Sequence, residues 1–355
     1  MDVLLNTGEM ISMSLLAMAI QKLGFPVVSL TGWQIGLETN SNYSDARIKR
    51  IAGERLKAEL DNGRIVIVAG FQGINQMGDV TTLGRGGSDT SGVALAVALK
   101  AQECLIFTDV DGVYTTDPRI EPKARKLDVI SFEEMLELAS LGSKVLQIRS
   151  VEFAGKYHVP VRVLSSLTDP NIPVDVEASS GTLISFEDDP KMEKALVSGI
   201  ACTRDEAKIT LSRVPDTPGI AYKILGPVAK HNIDVDMIVQ NDGLDGTTDF
   251  SFTVPRGDVD KCLKVLNEEV VPVCHPEGIH TNSEIAKVSV VGIGMRTHAG
   301  VACRMFECLS EEGINIEMIS TSEIKVSLVI ADKYMELAVR ALHKAFNLED
   351  GGCKL

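Results

Sequence analysis

Gly84-Arg85-Gly86-Gly87-Ser88-Asp89-Thr90-Ser91-Gly92 stands between two apolar runs, Arg64–Ala69 (R-I-V-I-V-A) and Val93–Leu99 (V-A-L-A-V-A-L). The first run reads as a strand and the second as a helix. A glycine-rich turn between a strand and a helix leaves backbone N–H groups free at the positive end of the helix, where an anion can sit. Arg85 adds a planar fork suited to a carboxylate or phosphate. Asp89 can cap the helix or hold an ammonium group. Glycines let a ligand approach the backbone closely. A plain turn with a solvated arginine would use the same glycines, but the interleaved Arg, Ser and Asp favour a site for a small molecule carrying a negative group.

Outward from this loop, apolar strands alternate with helical stretches. Met10–Leu23 reads as helix, Pro26–Leu30 as strand and Arg47–Leu60 as largely helix. Helix is expected over Ser91–Ala101, then a strand at Cys104–Thr108. Ser131–Ser140 is a helix, continued after Leu141-Gly142 by a second to about Tyr157. Val159–Val163 is a further strand. Such alternation predicts an α/β layered domain with a mainly parallel sheet. Met1–Ile20 is apolar but carries Asp2 and Glu9 where a signal peptide would carry basic residues, so it reads as a core helix. No run is expected to reach the length of a membrane span.

With 355 residues, two or three domains are expected. The net charge of −14 argues against nucleic acid or an anionic membrane as partner. Local arginines and helix ends still allow small anionic ligands. The seven cysteines form no C-x-x-C pair. They predict reduced thiols, a cytoplasmic protein and no protein-built metal centre.

The composition changes near Glu187-Asp188-Asp189-Pro190, and beyond it lies an internal repeat. Lys208–Gln240 and Lys287–Ser320 align at an offset of 81, pairing Gly219 with Gly300, Ala221 with Ala302, Val235 with Ile316 and Met237 with Met318. Each copy runs strand, glycine turn, helix, strand, strand, helix. This order resembles the amino-acid-sensing ACT domains, twice in tandem. The second copy lacks a closing strand, and an open sheet edge is a liability. The spare apolar strand Ala195–Ala201, or one from a partner chain, is expected to complete it.

Thr108–Arg119 reads T-D-V-D-G-V-Y-T-T-D-P-R, with Asp109, Asp111, Asp117 and Arg119 grouped around Tyr114. Ligands gather at the carboxyl ends of parallel strands, so Tyr114 could stack on a base and Arg119 meet a phosphate. Asp-Gly and Asp-Pro also favour an ordinary acidic loop.

Together, Thr7-Gly8-Glu9, Gly70-Phe71-Gln72-Gly73, Gly84–Ser91, Thr108–Arg119, Phe132–Leu138 and Gly142-Ser143-Lys144-Val145-Leu146 resemble the amino-acid kinase family, and within it the aspartate kinases. The resemblance implies a kinase domain over residues 1–190 and ACT modules over 195–282 and 283–355. It implies that Arg85 clamps a carboxylate of L-aspartate, with Gly86, Gly87 and Ser88 lining the site. Glu9 would take the substrate ammonium, Asp89 would organise the site, and Thr31-Gly32-Trp33-Gln34 would lie near the substrate. Thr108, Asp109, Tyr114, Thr115, Thr116, Asp117, Pro118 and Arg119 would hold ATP, which brings Mg²⁺ with it, and Lys144 would reach the phosphates. Phosphoryl transfer to a carboxylate needs positioning and charge neutralisation more than a base.

The resemblance also implies lysine or threonine as effectors, bound between modules of a homo- or hetero-oligomer. The residues concerned are Asp216, Thr217, Pro218, Gly219, Ile220, Ala221, Asp234, Val235, Asp236 and Gln240 of the first copy. From the second come Val301, Ala302, Asn315, Ile316, Thr321, Ser322 and Glu323. Aspartate kinases open with a strand and Lys-Phe-Gly-Gly, a motif this sequence does not contain. The expectation is therefore little or no kinase activity for the chain as numbered, because the lysine of that phosphate-binding loop is missing. The alternative is a non-catalytic amino-acid-sensing partner of a complete kinase.

Overall fold

A computed structural model describes residues 1–143, 145–169, 171–186, 196–241, 243, 245–298 and 300–351. The chain divides into two compact units, Met1–Tyr114 with Lys126–Glu193, and Thr115–Arg125 with Lys194–Leu355.

The first unit runs α1 (Asp2–Lys22), β1 (Val27–Leu30), β2 (Leu37–Thr39), β3 (Ile48–Ile51), α2 (Glu54–Asp61), β4 (Ile65–Val68), β5 (Gln72–Ile74) and β6 (Val80–Thr82). It continues with α3 (Gly87–Leu99), β7 (Cys104–Thr108), β8 (Val129–Ser131), α4 (Phe132–Ser140), α5 (Ile148–Tyr157), β9 (Val161–Ser165), α6 (Val174–Ser179) and β10 (Thr182–Ser185). Parallel pairing joins β1 to β4, β2 to β5, β7 to β9 and β8 to β10. Antiparallel pairs β2–β3, β5–β6 and β9–β10 complete three sheets. Leu30, Ile35, Leu37 and Leu56 form a core under β1 and β2.

Three sequence expectations need correction. Arg47–Leu60 is not one helix. Ile48 and Ile51 pair against β2 as a strand, and Gly53, in the left-handed region at φ +76°, starts the helix only at Glu54. The second helix after Ser140 begins at Ile148, where Gln147 caps it by accepting the Arg149 N–H. The third correction is α1, which is not a core helix. Apolar residues occupy its whole circumference, but only Asp2, Asn6 and Met13 are buried, one stripe at helical spacing. Leu4, Ile11, Leu15 and Met18 are each more than 60% exposed. By length and composition this helix is also long and apolar enough to cross a membrane, against the expectation that no run reaches that length.

In the second unit, β11 (Gly199–Thr203) precedes a module of β12 (Glu206–Pro215), α7 (Ile220–Lys230), β13 (Ile238–Gln240), β14 (Thr247–Pro255), α8 (Val259–Val265), α9 (Val271–Cys274) and β15 (Gly278–Asn282). The second module comprises β16 (Ile285–Val291), α10 (Val301–Glu311), β17 (Ile316–Thr321), β18 (Lys325–Ala331) and α11 (Met335–Ala345). The first sheet has the order β13-β14-β12-β15 and the second β17-β18-β16-β11. β11 thus fills in the second module the place β15 fills in the first, pairing Gly199 with Val291 through Thr203 with Lys287. The spare strand predicted from sequence does close the sheet; Ala195, where that strand was expected to begin, lies outside the described residues.

Each module packs its helices on one face of its sheet, as strands with one buried face require. Ile209, Leu211, Phe250 and Phe252 are fully buried in the first core, and Val288, Val290, Leu328 and Ile330 in the second. Met237, Ile285, Met318 and Val329 form a shared cluster, so the repeated methionines meet.

Candidate functional site

The glycine loop is held from three sides. Gly86 caps α3 from the left-handed region at φ +66°, and no side chain caps the helix. A Cβ at Gly86 would lie 2.3 Å from side-chain carbons of Gln147, and one at Gly87 would lie 2.9 Å from Leu83 and Phe71. Phe71 itself takes a positive φ of 68°. Its N–H donates to the Ser91 hydroxyl (3.0 Å), which donates to the Gly87 carbonyl (2.8 Å). The Leu83 N–H closes the turn onto the Phe71 carbonyl at 2.8 Å. The Gly87 N–H donates back to the Gly84 carbonyl (3.1 Å), and the next N–H groups of the first turn stand without a side-chain cap at the positive end of a thirteen-residue helix.

Arg85 and Ser88 are exposed on this loop, and Asp89 is half-buried. Burial pushes the Asp89 carboxyl above its ordinary range, against a hydrogen bond from the Gln147 backbone N–H. Asp89 does not cap α3; it points toward the start of α5 instead. Arg149 is a functional candidate that sequence reasoning missed. Its guanidinium reaches Asp45 (2.9 Å) and the carbonyls of Leu83 (2.6 Å) and Ala46 (2.8 Å). It fixes the entry to the glycine loop.

Asp2 was also missed. It is buried, and its carboxylate accepts from the Ser44 N–H, the Ser44 hydroxyl and the Thr82 N–H, each at 2.8 Å. Burial alone would raise its pKa, but these donors hold it below the usual carboxylate value. Thr82 pairs with Gln72, which is fully buried and accepts from the Gly32 N–H at 3.4 Å. Gln72 Nε2 and Asn6 Oδ1 are buried polar atoms with no partner among the described residues. Such atoms mark places where a ligand or water completes the bonding. Glu9 lies on the same helix, half-buried. Thr31 and Gln34 bond to each other, at 2.9 Å from the Thr31 N–H.

At the end of β7 the Thr108 hydroxyl donates to Asp109 (3.2 Å), and Asp109 is exposed. The Tyr114 hydroxyl donates to Asp111 at 3.0 Å; burial first, then that carboxylate, raises its pKa. Thr115, Thr116, Asp117, Pro118 and Arg119 belong to the second unit. Thr115 and Thr116 are buried there, while the Arg119 fork binds Asp117 (2.7 Å from Nη2). Lys144 lies outside the described residues.

In the ACT-like modules, Gly219 and Gly300 start α7 and α10 from the left-handed region, again without a side-chain cap. Met295, Arg296, His298, Gly300, Val301, Ala302, Thr321, Ser322, Glu323 and Val326 line an open cleft of about 440 Å³. Arg296 pairs with Glu323 at its rim (3.6 Å). Asp216, Thr217, Pro218, Asp234, Gln240 and Asn315 are exposed, and Ile220 is buried. Ala221 and Val235 are half-buried against the first core, and Ile316 against the second. Asp236 is engaged by the ammonium of buried Lys287, so its charge is already matched.

Residues 1–165 match the amino acid kinase family model, and residues 212–270 and 288–346 match the ACT domain model. An aspartate kinase of Pseudomonas putida is 58% identical over 98% of this chain and 82% of its own. E. coli aspartokinase III crystallised with aspartate and ADP in the R-state is similar over 98% of this chain and 75% of that one, with a TM-score of 0.80 at 28% identity. Its T-state complex with lysine and aspartate gives a TM-score of 0.74 at 30% identity, with the same coverage. A glycine loop opening an uncapped helix, followed by two ACT modules and by this degree of identity along nearly the whole chain, leads to one conclusion: the chain belongs to the aspartate kinase family.

Proposed function

We propose that this aspartate kinase transfers the γ-phosphoryl group of ATP to the side-chain carboxylate of L-aspartate, giving 4-phospho-L-aspartate. Arg85 clamps a substrate carboxylate while Gly86, Gly87 and Ser88 line the site, Glu9 takes the ammonium, and Asp89 organises the loop from beside Gln147. The stretch Thr108–Arg119 carries the nucleotide, with Lys144 on its phosphates. Mg²⁺ enters with ATP; Asp109, an exposed carboxylate at a strand end, is an oxygen donor of suitable hardness. The nucleophile is already ionised, so the protein's task is to align it and to neutralise charge. Lysine or threonine binds the ACT modules, in the 440 Å³ cleft at Val301, Ala302 and Thr321–Glu323 and around Asp216–Ala221, and inhibits. Lysine held by E. coli aspartokinase III supports that choice. The outer strands β13 and β17, with Ile238 and Ile319 exposed, are the edges through which modules of two chains would join.

The observation that carries the reading is the uncapped start of α3 under Arg85. Its test is calorimetric titration of aspartate and of ATP into Arg85→Ala. Loss of one bidentate charged contact is expected to weaken aspartate by about thirtyfold or more and leave ATP within about twofold. A variant that loses ATP but keeps aspartate would reverse the assignment.

A further inference from the structure

Eleven residues from the middle of the kinase sequence, Thr115–Arg125, fold as part of the second unit. They carry Asp117 and Arg119, to which the proposed function assigns the nucleotide, and the part played by His343 rests on that reading. The loop is closed at its neck. The Thr115 N–H donates to the Arg125 carbonyl (2.9 Å), and the Arg125 N–H donates to the Thr115 hydroxyl (3.0 Å). The same hydroxyl lies 3.0 Å from Nε2 of His343, which is 2% exposed on α11. The Thr115 carbonyl accepts from the Ile200 N–H at 2.7 Å, on the outermost strand of the second ACT sheet. Farther along, Ile120 packs on that module's core, and Lys123 pairs with Glu349 at 2.7 Å.

A histidine in this place demands a reason. A leucine would fill it without burying a polar ring, so burial of His343 is tolerable only because Thr115 satisfies it. What the pair provides is direction: a single bond that fixes the neck of the loop on α11. α11 in turn packs against α10, whose first residues, Val301 and Ala302, line the effector cleft.

We propose that His343 is a positioning residue for the nucleotide: through Thr115 it holds the loop that presents Asp117 and Arg119, and so links ATP affinity to the state of the second ACT module.

The experiment compares His343→Leu, His343→Gln, Thr115→Val and Arg119→Ala in the enzyme. ATP and aspartate affinities are measured separately by calorimetry, with and without lysine or threonine, alongside melting curves. His343→Leu, which loses one buried hydrogen bond, is expected to weaken ATP by about tenfold, and Thr115→Val, which also loses the bond from the Arg125 N–H, by at least as much, with aspartate within about twofold in both. His343→Gln, which can still reach the hydroxyl, is expected to recover most of the loss. The Leu/Val double variant should be no weaker than Thr115→Val alone, because that variant already removes the His343 bond along with the one from the Arg125 N–H. Effectors should change ATP affinity less in these variants than in the parent. If His343→Leu fails to fold, Thr115→Val, which keeps the side chain's shape, decides. Parent-like ATP binding by folded His343→Leu or Thr115→Val, with Arg119→Ala weakened, overturns the positioning role and leaves the nucleotide assignment standing. Parent-like ATP binding by Arg119→Ala overturns that assignment, and the positioning role with it.

Discussion

Replacing Lys287 with Met should unfold the regulatory half of the molecule more readily than any surface change. Lys287 on β16 is 3% exposed, and its ammonium bonds to Glu206 of β12 (8% exposed) and to Asp236. Burial opposes each charge, and the three groups compensate one another. Burial raises the Glu206 carboxyl despite the lysine, while Lys287 pulls Asp236 down against burial. Removing the lysine strands the Glu206 carboxylate in a dry seam, which costs about 3–5 kcal/mol. Against a domain stability of about 5–15 kcal/mol, that is a third or more of the whole. Asp236, nearer the surface, can turn to water. Lys287→Met with Glu206→Leu should recover most of the loss, since an apolar pair can replace a buried ion pair.

The sign with pH comes from the same groups. Without the lysine, the folded-state pKa of Glu206 rises further above its unfolded value. Such a carboxyl favours the fold below its unfolded pKa and loses that contribution as pH rises through the folded one. The deficit of Lys287→Met should therefore be largest near about pH 8 and shrink toward about pH 5. Urea unfolding at both pH values measures it. A deficit under about 1 kcal/mol, or one equal at the two pH values, refutes the claim that Glu206 is left charged and buried.

Gly86→Ala should cost about 1–3 kcal/mol, from a methyl placed in the left-handed region against Gln147, and should abolish detectable aspartate binding; normal binding in calorimetry would mean the loop can shift freely. Lysine or threonine at a hundredfold excess over Kd should stabilise the protein by about 2.7 kcal/mol, several degrees of Tm, and Glu323→Gln should reduce the shift. No shift with either amino acid at millimolar concentration would count against sensing by these modules.

Much of this architecture was legible because it rests on local chemistry. The glycine loop, the β7 strand Cys104–Thr108 and the helix expected from Ser131 are short-range patterns; the structure shows that helix opened by a capping box between Ser131 and Glu134. The repeat at 81 residues placed the methionines that meet in the shared core. The short strands β2, β3, β5 and β6 were invisible. Three or four residues give too little alternation, and their pairing is set by partners distant in the chain. For the same reason Asp2 and Arg149 escaped notice. Asp2 meets Thr82 and Arg149 meets Asp45, contacts that no local window contains. The misreading of α1 came from composition, which reports how apolar a helix is and not which faces find neighbours. Nothing in the run Thr108–Arg119 announced that it would divide at Tyr114, with its second half joining the regulatory unit.

The placement of β11 bears on how the molecule is made. Thr203 and Gly199 find their partners in Lys287 and Val291, about ninety residues later in the chain. On a ribosome adding about 5–20 residues each second, β11 emerges several seconds before the strand it must pair with, and the whole first module can fold in that interval. During it, an apolar strand waits with both edges bare, the state in which a nascent chain is captured by a chaperone or by its neighbour on the polysome. A swap of one module for a homologue's, made by cutting between β15 and β16, would also leave the incoming sheet to be closed by a foreign strand.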